Sequence, residues 1–197
     1  LLAAVLLGAL TGASALAAGP PDAVLRPAMS AMLPTGAQVT AGQVQIGQSG
    51  KTLTVTQGSS KVAINWQSFA IGQDATVNFV QPNASALVLN RVTGREASLI
   101  DGALNANGQV FVLNPNGVLF GKGARVDTAG LVASTLGLSD ADFLAGKLRF
   151  GADGKSGASV VNQGLLSAHD GGYVALIGQQ VRNDGVISAR LGTVALA

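Results

Sequence analysis

His169, in the stretch AHDGG, is the single histidine of the sequence, and there is no cysteine. Zinc and transition-metal centres draw on clusters of those two residue types, so the sequence offers them no usual ligand set. Asp140 and Asp142 could form a carboxylate pair or a set of calcium ligands, but both stand where the first turn of a short helix favours negative charge. Asp101, Asp127, Asp153, Asp170 and Asp184 fall mostly in separate turns. A polysaccharide lyase built on a β-helix would need several of them gathered with a Lys or Arg on one exposed face. GGYVAL lacks the Gly-Gly-x-Gly-x-Asp spacing of calcium-binding solenoid repeats. No catalytic residue, metal or cofactor is therefore assigned. Two spots could be read by a partner: Asn90-Arg91, in LVLNRVTG, and Asn114-Pro115-Asn116-Gly117, in FVLNPNGVLFG. The tetrapeptide already suits a type I turn, because Pro presets φ, Asn114 can accept a backbone N–H and Gly117 relieves the exit. Corner and contact are compatible roles. Arg91 could present a charge or be merely solvated, and Trp66 could pack under an N-terminal cap or bind a glycan.

The elements that would position these residues are strands. At 197 residues the chain is long enough for one domain with a substantial core. Its 27 glycines are about twice the usual share, and its charged fraction of 11% is under half the average. The net charge is +2 and the twelve Lys and Arg are spread singly, so nucleic acid is not an expected partner. From Gln43, Val44 and Ile46 alternate with glutamines, and after Ser49-Gly50, Leu53 and Val55 alternate with threonines, which is a hairpin pattern. Val62, Ile64 and Trp66 continue it, followed by Phe69, Ile71, Val77 and Phe79. One helix is expected in LSDADFLAGK, capped by Ser139 and ended by Gly146.

The last third repeats itself. VVNQGLLSAHDGGYVALIG, from Val160, aligns with VRNDGVISARLGTVALA, from Val181, pairing Asn162 with Asn183, Gly164 with Gly185, and Ser167-Ala168 with Ser188-Ala189. After a one-residue gap, Val174-Ala175-Leu176 pairs with Val194-Ala195-Leu196. A unit of about twenty-one residues cannot bury its own apolar face, whereas stacked units bury a continuous one, so an all-β solenoid is expected.

The chain opens with LLAAVLLGALTGASALAA, apolar, uncharged and ending in Ala-x-Ala patterns. This predicts an export signal, truncated at its start, over residues 1–17, with a membrane anchor as the competing reading. Residues 18–32 form a short linker and 33–197 the β-domain. GTVALA neither caps nor charges the last strand, so further coils are expected beyond it. Absence of cysteine in an exported protein has two readings: a large stacked core needs no staples, or the chain must thread a pore unfolded.

LPTGAQVTAGQVQIGQSGKTLTVTQ, KVAINWQSFAIGQDATVNFVQPNASALVLNRVTG and ALNANGQVFVLNPNGVLFGKGARVDTAGLVASTLGLSDADFLAGKLRF together resemble the N-terminal secretion domain of filamentous-haemagglutinin-like exoproteins of two-partner secretion. The resemblance runs from about Leu33 to Phe150, and the setting of Asn114–Gly117 carries it more than the tetrapeptide alone. It implies a right-handed parallel β-helix with N-terminal cap strands. It also implies passage of the inner membrane through the Sec machinery and signal peptidase, then recognition in the periplasm by POTRA modules of an outer-membrane β-barrel transporter. The product would be secreted or held on the surface of a Gram-negative bacterium, with host or bacterial glycans as targets of downstream regions. A second motif, Asn-Pro-Asn-Leu in the haemagglutinin branch, aligns with Gln81-Pro82-Asn83-Ala84, which keeps only Pro82 and Asn83. An adhesive β-solenoid surface is the alternative function.

Overall fold

A computed structural model describes residues 29–151 and 157–197. The segment read as an export signal, most of the linker and Asp153 lie outside them. No helix among the described residues is long and apolar enough to cross a membrane.

β1 (Gln38–Ala41) and β2 (Val44–Ser49) precede the solenoid. β2 turns back through Gly50, at φ +55, into β3 (Thr52–Gln57), with Ser49 opposite Thr52. That is the hairpin the alternating pattern predicts. β3 and β4 (Lys61–Trp66) begin the first coil. The second contains β5 (Thr76–Val80), β6 (Leu87–Val92) and β7 (Ser98–Ile100), and the third β8 (Ala103–Ala106), β9 (Gln109–Leu113) and β10 (Val118–Phe120). In the fourth and fifth, β11 (Arg125–Ser134) and β13 (Leu165–Ile177) run around a corner without a break and are followed by β12 (Val160–Asn162) and β14 (Val181–Asn183). β15 (Val186–Ala189) and β16 (Thr193–Leu196) make the sixth. β2 on β3 and β1 on β4 are antiparallel, and the strands from β3 onward pair in parallel. The two antiparallel strands cover edges that the first coil would otherwise leave unpaired. The architecture is the capped parallel β-helix expected from the sequence.

Stacking places like on like, because the two-residue period of a strand sends alternate side chains into the lumen. One inward column reads Leu53, Val77, Leu104, Val126, Leu166, Ile187. A second reads Val62, Val88, Val110, Leu131, Val174, Val194. The third face stacks Ile71, Ile100, Phe120, Asn162 and Asn183. Asn162 and Asn183 stack as the repeat requires, and Asn162 Nδ2 donates to Asn183 Oδ1 at 2.8 Å while its own Oδ1 accepts from Gly164 N at 3.0 Å.

After β11 the chain leaves the stack and folds back as a strap across the outside of the β4–β6–β9–β11 face. Its helix α1 (Asp140–Leu144) starts at Ser139, whose Oγ accepts from Asp142 N at 3.1 Å, and stops before Gly146 at φ +74. This is the cap and stop read from LSDADFLAGK. Leu138 and Phe143 are buried over a second apolar cluster of Ala63, Leu89, Phe111 and Val132, side chains that point outward from the strands. At the C-terminal end of α1, Lys61 Nζ donates to the carbonyls of Phe143 and Leu144 at 3.1 and 2.8 Å, which satisfies two of the oxygens a helix end leaves unpaired.

On the same outer face Tyr173 lies against Gly130, where a Cβ would come within 2.7 Å of its ring, and its hydroxyl donates to Gln109 Oε1 at 2.6 Å. Burial pushes the Tyr173 hydroxyl up to about 12. The unfolded hydroxyl titrates near 10, so this neutral-state preference is fully present below about pH 10 and is lost as pH rises toward about 12, at most about 3 kcal/mol in all and less for the part of the ring that water reaches. Denaturant unfolding measured across that window should show the loss, and Tyr173→Phe should remove it.

Candidate functional site

The Asn114–Gly117 corner joins β9 to β10, directly above the turn that joins β6 to β7. Pro115 fixes the second position, and Gly117 N donates to Asn114 O at 3.0 Å, closing the turn. Gly117 has φ +119, which a side chain would resist. Asn114 is fully buried. Its Nδ2 donates to Glu96 O and Ser98 Oγ, both at 3.0 Å, and its Oδ1 accepts from the backbone and side-chain nitrogens of Asn116, both at 2.9 Å. Its backbone N donates to Ser134 O at 2.9 Å. Asn116 Nδ2 also reaches Gly94 O at 3.0 Å. The motif therefore ties the second, third and fourth coils together, and Pro115 and Asn116 remain half-buried at the surface. Glu96, Gly94 and Ser98 are partners the sequence reading missed. Ser98 left a signal, since it takes an inward position in Ser98-Leu99-Ile100 where an apolar residue would be expected.

Gln81-Pro82-Asn83-Ala84 sits at a different corner, between β5 and β6, so the two motifs are not brought together. Pro82 and Asn83 are exposed, and Asn83 Oδ1 accepts from Ser85 N and Oγ at 3.0 and 2.7 Å. Gln81 is buried, and its Nε2 reaches Gln57 Oε1, Ala86 O and Gln109 O at 3.1, 3.0 and 3.3 Å, linking three successive coils.

Asn90 and Arg91 point in opposite directions from β6. Asn90 is fully buried in the lumen, accepting from Trp66 Nε1 at 3.0 Å and donating to Phe111 O at 3.2 Å. Trp66, also buried, meets Phe69 edge-on at 5.8 Å between ring centres. Arg91 faces out and holds the strap, donating to Asn65 Oδ1 at 3.0 Å, to Asp140 Oδ1 at 2.8 Å and to Leu138 O at 2.5 Å. Burial alone would raise the Asp140 carboxyl, but hydrogen bonds from Arg91 and Thr40 and the Arg91 charge hold it below its ordinary value. The pair is partly solvated, so Arg91→Ala should lower stability by only about 1 kcal/mol at neutral pH. That contribution is present above the unfolded carboxyl pKa near 4 and is lost on acidification through the lower folded value. The Asp140 part of the difference between the two unfolding curves should therefore vanish in acid, leaving what the Asn65 and Leu138 bonds contribute.

The remaining titratable residues among those described are dispersed. Asp101 Oδ1 accepts from Gly123 N at 2.8 Å, His169 Nε2 lies 3.2 Å from Asp127 Oδ1, and Arg182 pairs with Asp184 at 2.8 Å. Among the described residues, no three of His, Cys, Asp and Glu gather as a metal site.

Residues 30–197 match the family model described as the TPS secretion domain. The chain belongs to the TPS secretion domain family. Over 83% of this chain and 44% of the other, this TPS domain superposes on the crystal structure of the HMW1 secretion domain from Haemophilus influenzae, with a TM-score of 0.78 and 38% identity. It is 39% identical over 165 residues to a heme/hemopexin-binding protein of Haemophilus influenzae strain Rd, covering 80% of this chain and 18% of that protein. A second Haemophilus influenzae heme/hemopexin-binding protein is 52% identical over 83 residues, 42% of this chain and 9% of that protein. The TPS domain thus spans less than a fifth of the length of the curated relatives it matches. TPS domains serve exoproteins exported by Gram-negative bacteria to the surface or beyond, and engage a cognate outer-membrane transporter.

Proposed function

We propose that this domain is the export address of a longer exoprotein: POTRA modules of its transporter recognise it in the periplasm, and it then crosses the barrel unfolded and nucleates β-helix folding outside. The family match over residues 30–197 carries the reading. Two features of the fold support the nucleating role. One end of the stack is covered by β1 and β2, which leaves successive coils to add in parallel from β3 onward. The chain also has no crosslink to obstruct threading.

Energy for the passage follows from where folding happens. The periplasm holds no ATP, and a domain of this size gains on the order of 10 to 20 kcal/mol on folding. Released only outside, that free energy makes return unfavourable. Slow pairing of strands distant in sequence keeps the chain threadable meanwhile. What the rest of the protein binds is a separate property; heme or hemopexin binding is what the names of the Haemophilus relatives point to.

Deletion of residues 33–150 from the full-length protein, expressed with its transporter, tests the reading. The remainder should accumulate in the periplasm. If it still reaches the surface and only adhesion is lost, the domain is an adhesive surface and the secretion reading fails.

A further inference from the structure

We propose that Asn116-Gly117 is a site of spontaneous deamidation that folding switches off, so that this corner records how long the chain has remained unfolded. Asparagine followed by glycine is the dipeptide best suited to this chemistry, because glycine has no Cβ to hinder approach of its nitrogen to the preceding side chain. The Gly117 nitrogen loses its proton and bonds to Asn116 Cγ. The Cγ–Nδ2 bond breaks and ammonia leaves with that proton, closing a succinimide ring. Water then adds to one ring carbonyl and the ring opens to aspartate or isoaspartate. Water is the only co-reactant, and nothing is oxidised or reduced.

The folded corner holds both reacting groups away from this path. Asn116 Nδ2 is bonded to Gly94 O at 3.0 Å and Asn114 Oδ1 at 2.9 Å, and the attacking Gly117 N–H is spent on Asn114 O at 3.0 Å. The sequence holds one other Asn-Gly pair, Asn107-Gly108, and its asparagine side chain is held likewise. Gln81 N donates to Asn107 Oδ1 and Asn107 Nδ2 donates to Gln81 O, each at 2.7 Å. Both susceptible asparagines are thus corner residues whose amides are tied to the preceding coil, while Asn78 and Asn105, within strands, precede Phe79 and Ala106.

Conversion would also stop the corner from forming. A carboxylate at position 116 has no hydrogen to give to Gly94 O or Asn114 Oδ1, and would face two oxygens instead. Isoaspartate in addition lengthens the main chain by one carbon and displaces the Gly117 N–H. The chemistry depends on the structure alone; its consequence for export, loss of competence in chains held too long in the periplasm, rests on the unfolded transit proposed above.

Two measurements on the purified chain test this. The chain is incubated in native buffer and in guanidinium at one mildly alkaline pH, and residues 107 and 116 are followed by peptide mass mapping. Both should convert in denaturant, and at least about tenfold more slowly when folded, since the reaction must wait for local opening. Equal rates in the two states would overturn the proposal. The aged, denatured chain is then diluted, and the fractions that do and do not regain protease resistance are mapped. Deamidated residue 116 should be confined to the fraction that fails to refold; an equal share in both fractions sinks the idea. Asn116→Asp should behave as the aged chain does without ageing, while Asn83→Asp, at the exposed corner where the side chain only accepts, should refold. An Asn116→Asp chain that refolds as well as Asn83→Asp overturns the proposal too. Neither measurement involves a transporter, so a failure here is separable from a failure of the secretion reading.

Discussion

Asn114→Ala is expected to lower the unfolding free energy by about 3 kcal/mol and to reduce export accordingly. The side chain, itself shut off from water, gives two hydrogen bonds and receives two. Alanine leaves the buried Ser98 Oγ unpaired, at about 1 to 3 kcal/mol, and takes a partner from Glu96 O and the Asn116 N–H, which are closer to water and add less. Pro115→Ala supplies the contrast. It removes a half-exposed ring and some stiffness from the unfolded chain, which should cost under about 1 kcal/mol. Denaturant melts give the stabilities, and secretion assays with the cognate transporter give the second axis. If the motif acts through the fold, export should track stability across both variants. A Pro115→Ala protein that folds normally yet stays in the periplasm would show that the transporter reads the tetrapeptide itself.

Phe111→Ala should cost about 3 to 5 kcal/mol, the usual range for emptying an aromatic site in a packed core. Phe111 is fully buried outside the lumen, stacked in register between Leu89 and Val132, with Phe143 and Phe150 over it at 6.3 and 6.5 Å between ring centres. Its loss opens a cavity between the sheet and the strap, and neither side can collapse because each is anchored elsewhere. Limited proteolysis should then cut between Gly137 and Gly151 before anything in the stack is cut. Phe143→Ala, on the strap itself, should raise that local cleavage with a smaller fall in global stability. Equal resistance of the wild type and Phe111→Ala to cleavage there would mean the strap does not depend on this ring.

How much of this was legible depended on the distance between interacting residues along the chain. The hairpin, the helix cap and the pairing of the last two coils rest on neighbours or on a clean repeat, and the register reproduces that repeat at Asn162–Asn183 and Val174–Val194. The earlier coils hide their equivalence: Leu53, Val77, Leu104, Val126 and Leu166 occupy one column although the intervals between them range from 22 to 40 residues. Corners of unequal length, and the strap inserted in the fourth coil, break the period without disturbing the stack. Asn90-Arg91 was read as a surface feature because the two are adjacent, yet alternation along β6 sends one inward and the other outward. The inward position was recoverable, since Asn90 lies between Val88 and Val92 and the Trp66 indole needs an acceptor once buried. The outward one was not, because Arg91 and Lys61 find their partners 49 and 82 residues further on.

The strap has a mechanical corollary. It leaves the stack at the fourth coil, yet Lys61 in the first and Arg91 in the second grip it, so four turns are stitched together from outside by something other than their own ladders. The fifth is tied in more lightly, by the Tyr173 hydroxyl on Gln109 of the third and by Ala175 and Ile177 against the same outer cluster, and the sixth has no such brace among the described residues. Under tension applied at the C-terminus, the sixth turn should peel away at low force and the fifth at a higher one, and rupture should then pause until the brace tears and the first four give way in a single larger step.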